Sequence, residues 1–67
     1  MTALLVTFGP ERRTRFPRLT YQRQGDVWRF IDNDPDCGPA VVGPQYRTQA
    51  ELLGDLTRYA QESGYES

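Results

Sequence analysis

The chain contains no histidine and no lysine, and its single cysteine is Cys37. Its only serines, Ser63 and Ser67, stand among the final residues of the sequence. These absences exclude most covalent and acid–base chemistry. A serine triad and a Cys–His pair both need an imidazole, and a Schiff base needs a lysine amine. One cysteine cannot close an internal disulfide, and without histidine a zinc site would have to be built from carboxylates and that lone thiol. Carboxylates remain as acid–base candidates. Asp32, Asp34 and Asp36, however, lie in a turn-rich stretch with nothing apolar around them to raise a pKa. A non-enzyme that carries no cofactor is the expectation.

Long apolar runs are also missing. Thr2-Ala3-Leu4-Leu5-Val6 is too short to span a membrane or to act as a leader. An unpaired cysteine fits a reducing compartment, so the expected location is the cytoplasm, without membrane association. At 67 residues the chain has room for one domain. A domain of this size buries only roughly 60% of the surface its unfolded form exposes, so the core must be thin and aromatic.

What is present is charge, distributed unevenly. Residues 1–31 carry six arginines against Glu11 and Asp26, a net +4. Residues 32–67 carry Arg47 and Arg58 against seven carboxylates, a net -5. The overall value of -1 therefore conceals a dipole along the chain. All eight basic residues are arginine, whose planar fork grips carboxylate or phosphate bidentately where lysine cannot.

Alternation of Leu4, Val6 and Phe8 predicts a first strand, ended by Gly9-Pro10. Residues 11–17 read as a basic loop closed by Pro17. Leu19 to Gln22 and Val27 to Ile31, around a tight turn at Gly25, predict a hairpin. Either turn register puts Leu19, Tyr21, Trp28 and Phe30 on one face, and Thr20, Gln22, Arg29 and Ile31 on the other. Asp32 to Pro44 reads as a turn-rich acidic loop, in which Ala40-Val41-Val42 is either a short strand or a buried pin. Thr48-Gln49-Ala50-Glu51 matches a helix-capping box. Leu52, Leu53, Leu56, Tyr59 and Ala60 follow as one apolar stripe, and Gly64 is placed as a C-terminal cap. Gly54, a costly residue inside a helix, is taken to mark close packing onto the sheet.

The expected fold is α+β: a three-stranded, mostly antiparallel sheet (one strand and a hairpin) with a C-terminal helix packed on one face. The expected core is Leu4, Val6, Phe8, Leu19, Tyr21, Trp28, Phe30, Val41, Leu52, Leu53, Leu56 and Tyr59. The strand-strand-strand-helix order, the late-strand tryptophan and the start Tyr46-Arg47-Thr48-x-x-Glu51 resemble the arm-type DNA-binding modules of phage integrases. That resemblance covers roughly the last forty residues and is one of fold alone. The basic sheet face of such modules has no counterpart in this sequence.

Three motifs compete for function. Asp32-Asn33-Asp34-Pro35-Asp36 opens like a calcium loop, but Cys37 stands where the sharp turn needs glycine and Gly43 where a bidentate glutamate belongs. A solvated turn is the simpler reading. Cys37, flanked by aspartates that disfavour a thiolate, reads as unreactive. Arg12, Arg13, Arg15 and Arg18, with Phe16 between them and Arg29 on the following hairpin, are the candidate binding residues. Guanidiniums there suit an acidic protein partner. They also suit nucleic acid, with Phe16 stacking on a base, although the acidic pI opposes that. They can equally pair with the chain's own carboxylates. The alternative recognition surface is Asp32, Asp34 and Asp36, which would take a basic partner.

The expected function is a small accessory or regulatory binding protein, of the size and economy of the inhibitors that phages and mobile elements direct at host machinery. It acts as a monomer, or as a homodimer through an unpaired strand edge.

Overall fold

In the computed structural model, residues 7–65 are described. They form a four-stranded antiparallel sheet of order β1-β2-β3-β4 followed by one helix: β1 Arg12–Arg13, β2 Leu19–Gln24, β3 Val27–Asp34, β4 Gly38–Tyr46 and α1 Gln49–Ser63. The α+β class and the helix stand as expected. The sheet has four strands, where three were expected.

The strand expected around Leu4 and Val6 lies outside the described residues. Phe8 forms only an isolated bridge to Gln24 and is exposed, so it leaves the core list. Two strands lie in stretches read as loops: the short β1 within the basic loop 11–17, and β4 within the acidic loop, where Ala40-Val41-Val42 is part of a nine-residue strand and not a buried pin. Asp34-Pro35-Asp36 is a turn signature, and the Asp34 carboxylate accepts the Asp36 and Cys37 N–H groups at 2.7 and 3.3 Å. Gly38 then takes a φ of 83°, so the chain reverses and pairs Asp34 with Gly38 through Phe30 with Val42. The prolines that suggested a loop are compatible with a strand because β4 is an edge.

The β2–β3 hairpin closes on Gly25-Asp26, with Tyr21 opposite Phe30 and Thr20 opposite Ile31. Its two faces are those read from the sequence. Phe30 and Leu19 are wholly buried on the helix-bearing face, and Leu52 meets them from α1. Phe30 is the centre: Tyr59 stacks on it at 4.8 Å and Tyr46 meets it edge-on at 5.5 Å. Full burial of a side chain this size stabilises by roughly 1.5–3 kcal/mol. Trp28 packs from the margin, tilted against Tyr21 at 6.1 Å. Val41 and Leu53 are exposed, contrary to expectation. Val41 pairs with Ile31 and so shares the helix-free face.

Helix α1 starts at Thr48, whose hydroxyl accepts the Glu51 N–H at 3.1 Å. It ends in a Schellman turn: Gly64 has φ 81°, and the Tyr65 N–H reaches the Ala60 carbonyl at 2.9 Å. The close approach between helix and sheet is at Gly43 and not at Gly54. A Cβ on Gly43 would lie 2.9 Å from the Tyr59 ring, whereas one on Gly54 meets nothing within 4 Å. Gly43, with φ 77°, sits in the irregularity where β4 gains residues between its pairings to Trp28 and Phe30.

Candidate functional site

The six residues singled out on the basic side are not brought to one surface. Phe16 is buried in the core and does not stand free to stack on a base. The loop that carries it is tied down by Thr14, whose hydroxyl accepts the Phe16 N–H at 3.0 Å and donates to the Leu19 carbonyl at 2.7 Å. An aromatic ring anchoring a loop to the sheet looks, in sequence, the same as one offered to solvent.

Arg18 turns toward the acidic turn. Its guanidinium lies 3.2 Å from Asp32 and 3.4 Å from Asp34, and 5.7 Å above the Tyr65 ring. The side chain remains half exposed, so solvent screens these pairs and they add little to stability. Their consequence is topological: the Arg-rich and Asp-rich segments meet across the end of the sheet. Asp34 is held below the usual carboxylate range, first by the two backbone N–H groups it accepts and to a smaller extent by Arg18. Asp32 and Asp34 are thus partly neutralised, and Asp36 alone of the three stands exposed. Arg29 is half-buried and donates to the Gly43 carbonyl at 2.8 Å, supporting the β4 irregularity.

Arg12, Arg13 and Arg15 remain. All three are exposed, and among the described residues none has a carboxylate within ion-pair distance. Arg12 pairs with Tyr21 and Arg13 with Thr20, so Arg12 projects on the helix side of the sheet and Arg13 on the opposite side. Arg15 covers the Phe16 ring at 5.0 Å and donates to the Thr57 hydroxyl of α1. Exposed Leu53 stands one turn before Thr57 on the same helix stripe. The three guanidiniums therefore straddle the edge of the sheet, two toward the helix and one behind.

A cavity of about 440 Å³ opens beside this edge, lined by Glu11, Arg13, Thr14, Phe16, Pro17, Leu19, Thr20 and Asn33. Its lining mixes apolar Phe16, Pro17 and Leu19 with polar side chains, among which Asn33 donates to the Thr20 hydroxyl at 2.9 Å. Among the described residues no group of three or more His, Cys, Asp or Glu side chains is placed to hold a metal ion. In the same residues no helix is long and apolar enough to cross a membrane.

A second charged cluster, on α1, was not anticipated. Arg58 grips Asp55 with two nitrogens at 2.5 Å and Glu62 at 2.9 Å, and the Tyr46 hydroxyl donates to Asp55. The i, i+3 and i, i+4 spacing was visible in the sequence. The Tyr46 link was not, because it depends on where β4 ends. Asp55 is pulled below the usual range by Arg58 first and Tyr46 second. The Tyr46 hydroxyl is raised, mainly by burial and then by Asp55. This cluster is a brace between helix and sheet.

Comparison with protein-family models, with curated proteins and with solved structures finds no match for this chain.

Proposed function

We propose that this chain is a non-catalytic, regulatory binding module that recognises an acidic partner protein through the edge formed by Arg12, Arg13 and Arg15. The observation that carries the reading is clustering. Arg18 and Arg58 are taken up by carboxylates, whereas Arg12, Arg13 and Arg15, exposed like Arg47 without a carboxylate partner among the described residues, stand together on one edge of the sheet. Clustered, unpaired charge of one sign steers encounter with a partner of the other sign. The burial of Phe16 removes the base-stacking element from the nucleic-acid reading, and partial neutralisation of Asp32 and Asp34 weakens the acidic-surface alternative.

The test is affinity capture from the native host with the wild-type chain and with Arg12→Ala/Arg13→Ala/Arg15→Ala. Labelled duplex DNA, single-stranded DNA and RNA are titrated in parallel at about 50 mM salt, where phosphate contacts are strong. Capture of an acidic protein, lost in the triple variant and with no nucleic-acid binding, is the expected result. Nucleic-acid binding that the triple variant loses would replace the reading with the other one.

A further inference from the structure

The sheet has two edges, and the hydrogen-bond pattern distinguishes them. The Gly9 N–H donates to the Arg23 carbonyl at 2.8 Å, and the Gly25 N–H donates to the Thr7 carbonyl at 3.0 Å. Phe8 sits between these two bonds, opposite Gln24. It therefore occupies a wide pair, and its own N–H and C=O point away from the sheet. Following the alternation down β2, Tyr21 faces β1 and Thr20 faces β3. Arg12 is then the hydrogen-bonded partner of Tyr21, and Arg13 again turns its N–H and C=O outward. The edge running along residues 7–13 thus offers two outward-facing peptide groups, at Phe8 and Arg13.

The same alternation carried across β3 leaves Pro39 and Val41 as the outward positions of β4. Pro39 has no N–H to donate, so the regular part of that longer edge keeps one outward donor, at Val41. Pro10 likewise lacks a donor between Phe8 and Arg13, so among the described residues the arginine edge differs from the β4 edge by two outward donors against one and by its arginines. Arg12 and Arg13, on opposite sides of the arginine edge, repel a second copy of the same basic segment and attract an acidic strand. Exposed Phe8 supplies an apolar contact at its far end.

We propose that the partner of the arginine edge is an extended acidic segment that adds to the sheet as a further strand alongside residues 7–13. It hydrogen-bonds to the main chain at Phe8 and Arg13, and its carboxylates are held from both sides by Arg12 and Arg13. The proposal rests on the arginine-edge reading and adds main-chain pairing to it.

Three probes separate the two ideas: a capped peptide of about eight alternating Glu and Val residues, an ordinary strand length; the same peptide N-methylated at alternate amides; and poly-glutamate of equal length. Binding is read by fluorescence anisotropy on the full chain, and amide exchange is followed residue by residue. The Glu/Val peptide is expected to bind roughly tenfold or more tightly than its N-methylated form, the effect of two lost hydrogen bonds, and more tightly than poly-glutamate, whose side chains disfavour a strand. It should slow exchange at Phe8 and Arg13 and not at Val41. Arg13→Pro, which an edge tolerates, should weaken this binding further than Arg13→Gln does. If the peptide and its N-methylated form bind equally, or protection appears at Val41, strand addition is overturned while the arginine reading stands. If no acidic probe binds, both are overturned.

Discussion

Gly43 is where the backbone of β4, the core aromatics and the helix converge, and its replacement by alanine is the sharpest test of the packing. Two costs add. A φ of 77° disfavours any L side chain by roughly 1–2 kcal/mol. The new Cβ would also stand 2.9 Å from the Tyr59 ring, which cannot swing away freely because it is stacked on Phe30 at 4.8 Å. Overpacking of this kind costs about 1–3 kcal/mol. The sum, about 2–5 kcal/mol, is a large share of the roughly 3–10 kcal/mol expected for a domain of this length. The same substitution at Gly54 is the internal control. That glycine is exposed in mid-helix with nothing within 4 Å of a Cβ, so Gly54→Ala should stabilise by about 1 kcal/mol. Urea unfolding followed by tryptophan fluorescence gives both values. Introducing Gly43→Ala into the Gly54→Ala chain keeps enough margin for a folded baseline. A midpoint unchanged by Gly43→Ala would refute the close approach of α1 to β4. A loss at Gly54 comparable to that at Gly43 would mean the helix packs through its other face.

Three further outcomes are expected. Phe30→Ala should cost about 3–5 kcal/mol, whereas Leu53→Ala, exposed on the helix, should stay within about 0.5 kcal/mol; equal losses in thermal melts would invalidate the core assignment. Thr48→Ala should lower stability by about 0.5–2 kcal/mol through loss of the cap to Glu51, without altering partner capture, and an unchanged unfolding midpoint would place the helix start elsewhere. Stability should also depend on pH in a defined direction. Asp34 and Asp55 have folded pKa values below their unfolded ones, so the unfolded chain binds their protons first as pH falls. Their contribution is complete above about pH 5 and is lost as pH drops through the folded values. Asp55→Asn should flatten part of that acid decline in pH-dependent melts, and an identical profile would show that the Arg58–Asp55–Tyr46 brace is not formed.

How much of this could be read in advance differs by element. The hairpin faces were legible because a period of two depends only on alternation, and a slip of the turn does not exchange Leu19, Tyr21, Trp28 and Phe30 for their neighbours. The helix start at Thr48 and its end at Gly64 were legible because caps are local chemistry, closed within a few residues of backbone. The strand β4 was not. Its prolines and glycines are turn residues in any local reading, and only its position as a sheet edge makes Pro39 acceptable and gives Gly43 a role.

The candidate site divides along the same line. Sequence alone determined which side chains are available: arginine as the sole basic residue type, carboxylates, and neither histidine nor lysine. It could not sort those arginines, because an ion pair such as Arg18 with Asp32, or a ring such as Phe16 turned inward, is decided by residues far apart in the chain. The tertiary structure did that sorting. The sheet pairs Arg12 with Tyr21 and Arg13 with Thr20, which puts their guanidiniums on opposite sides of one edge. The turn at Asp34 brings the acidic segment back onto Arg18 and away from the other three. Local propensity acts over a few residues, and which charges remain unpaired is a property of long-range contacts.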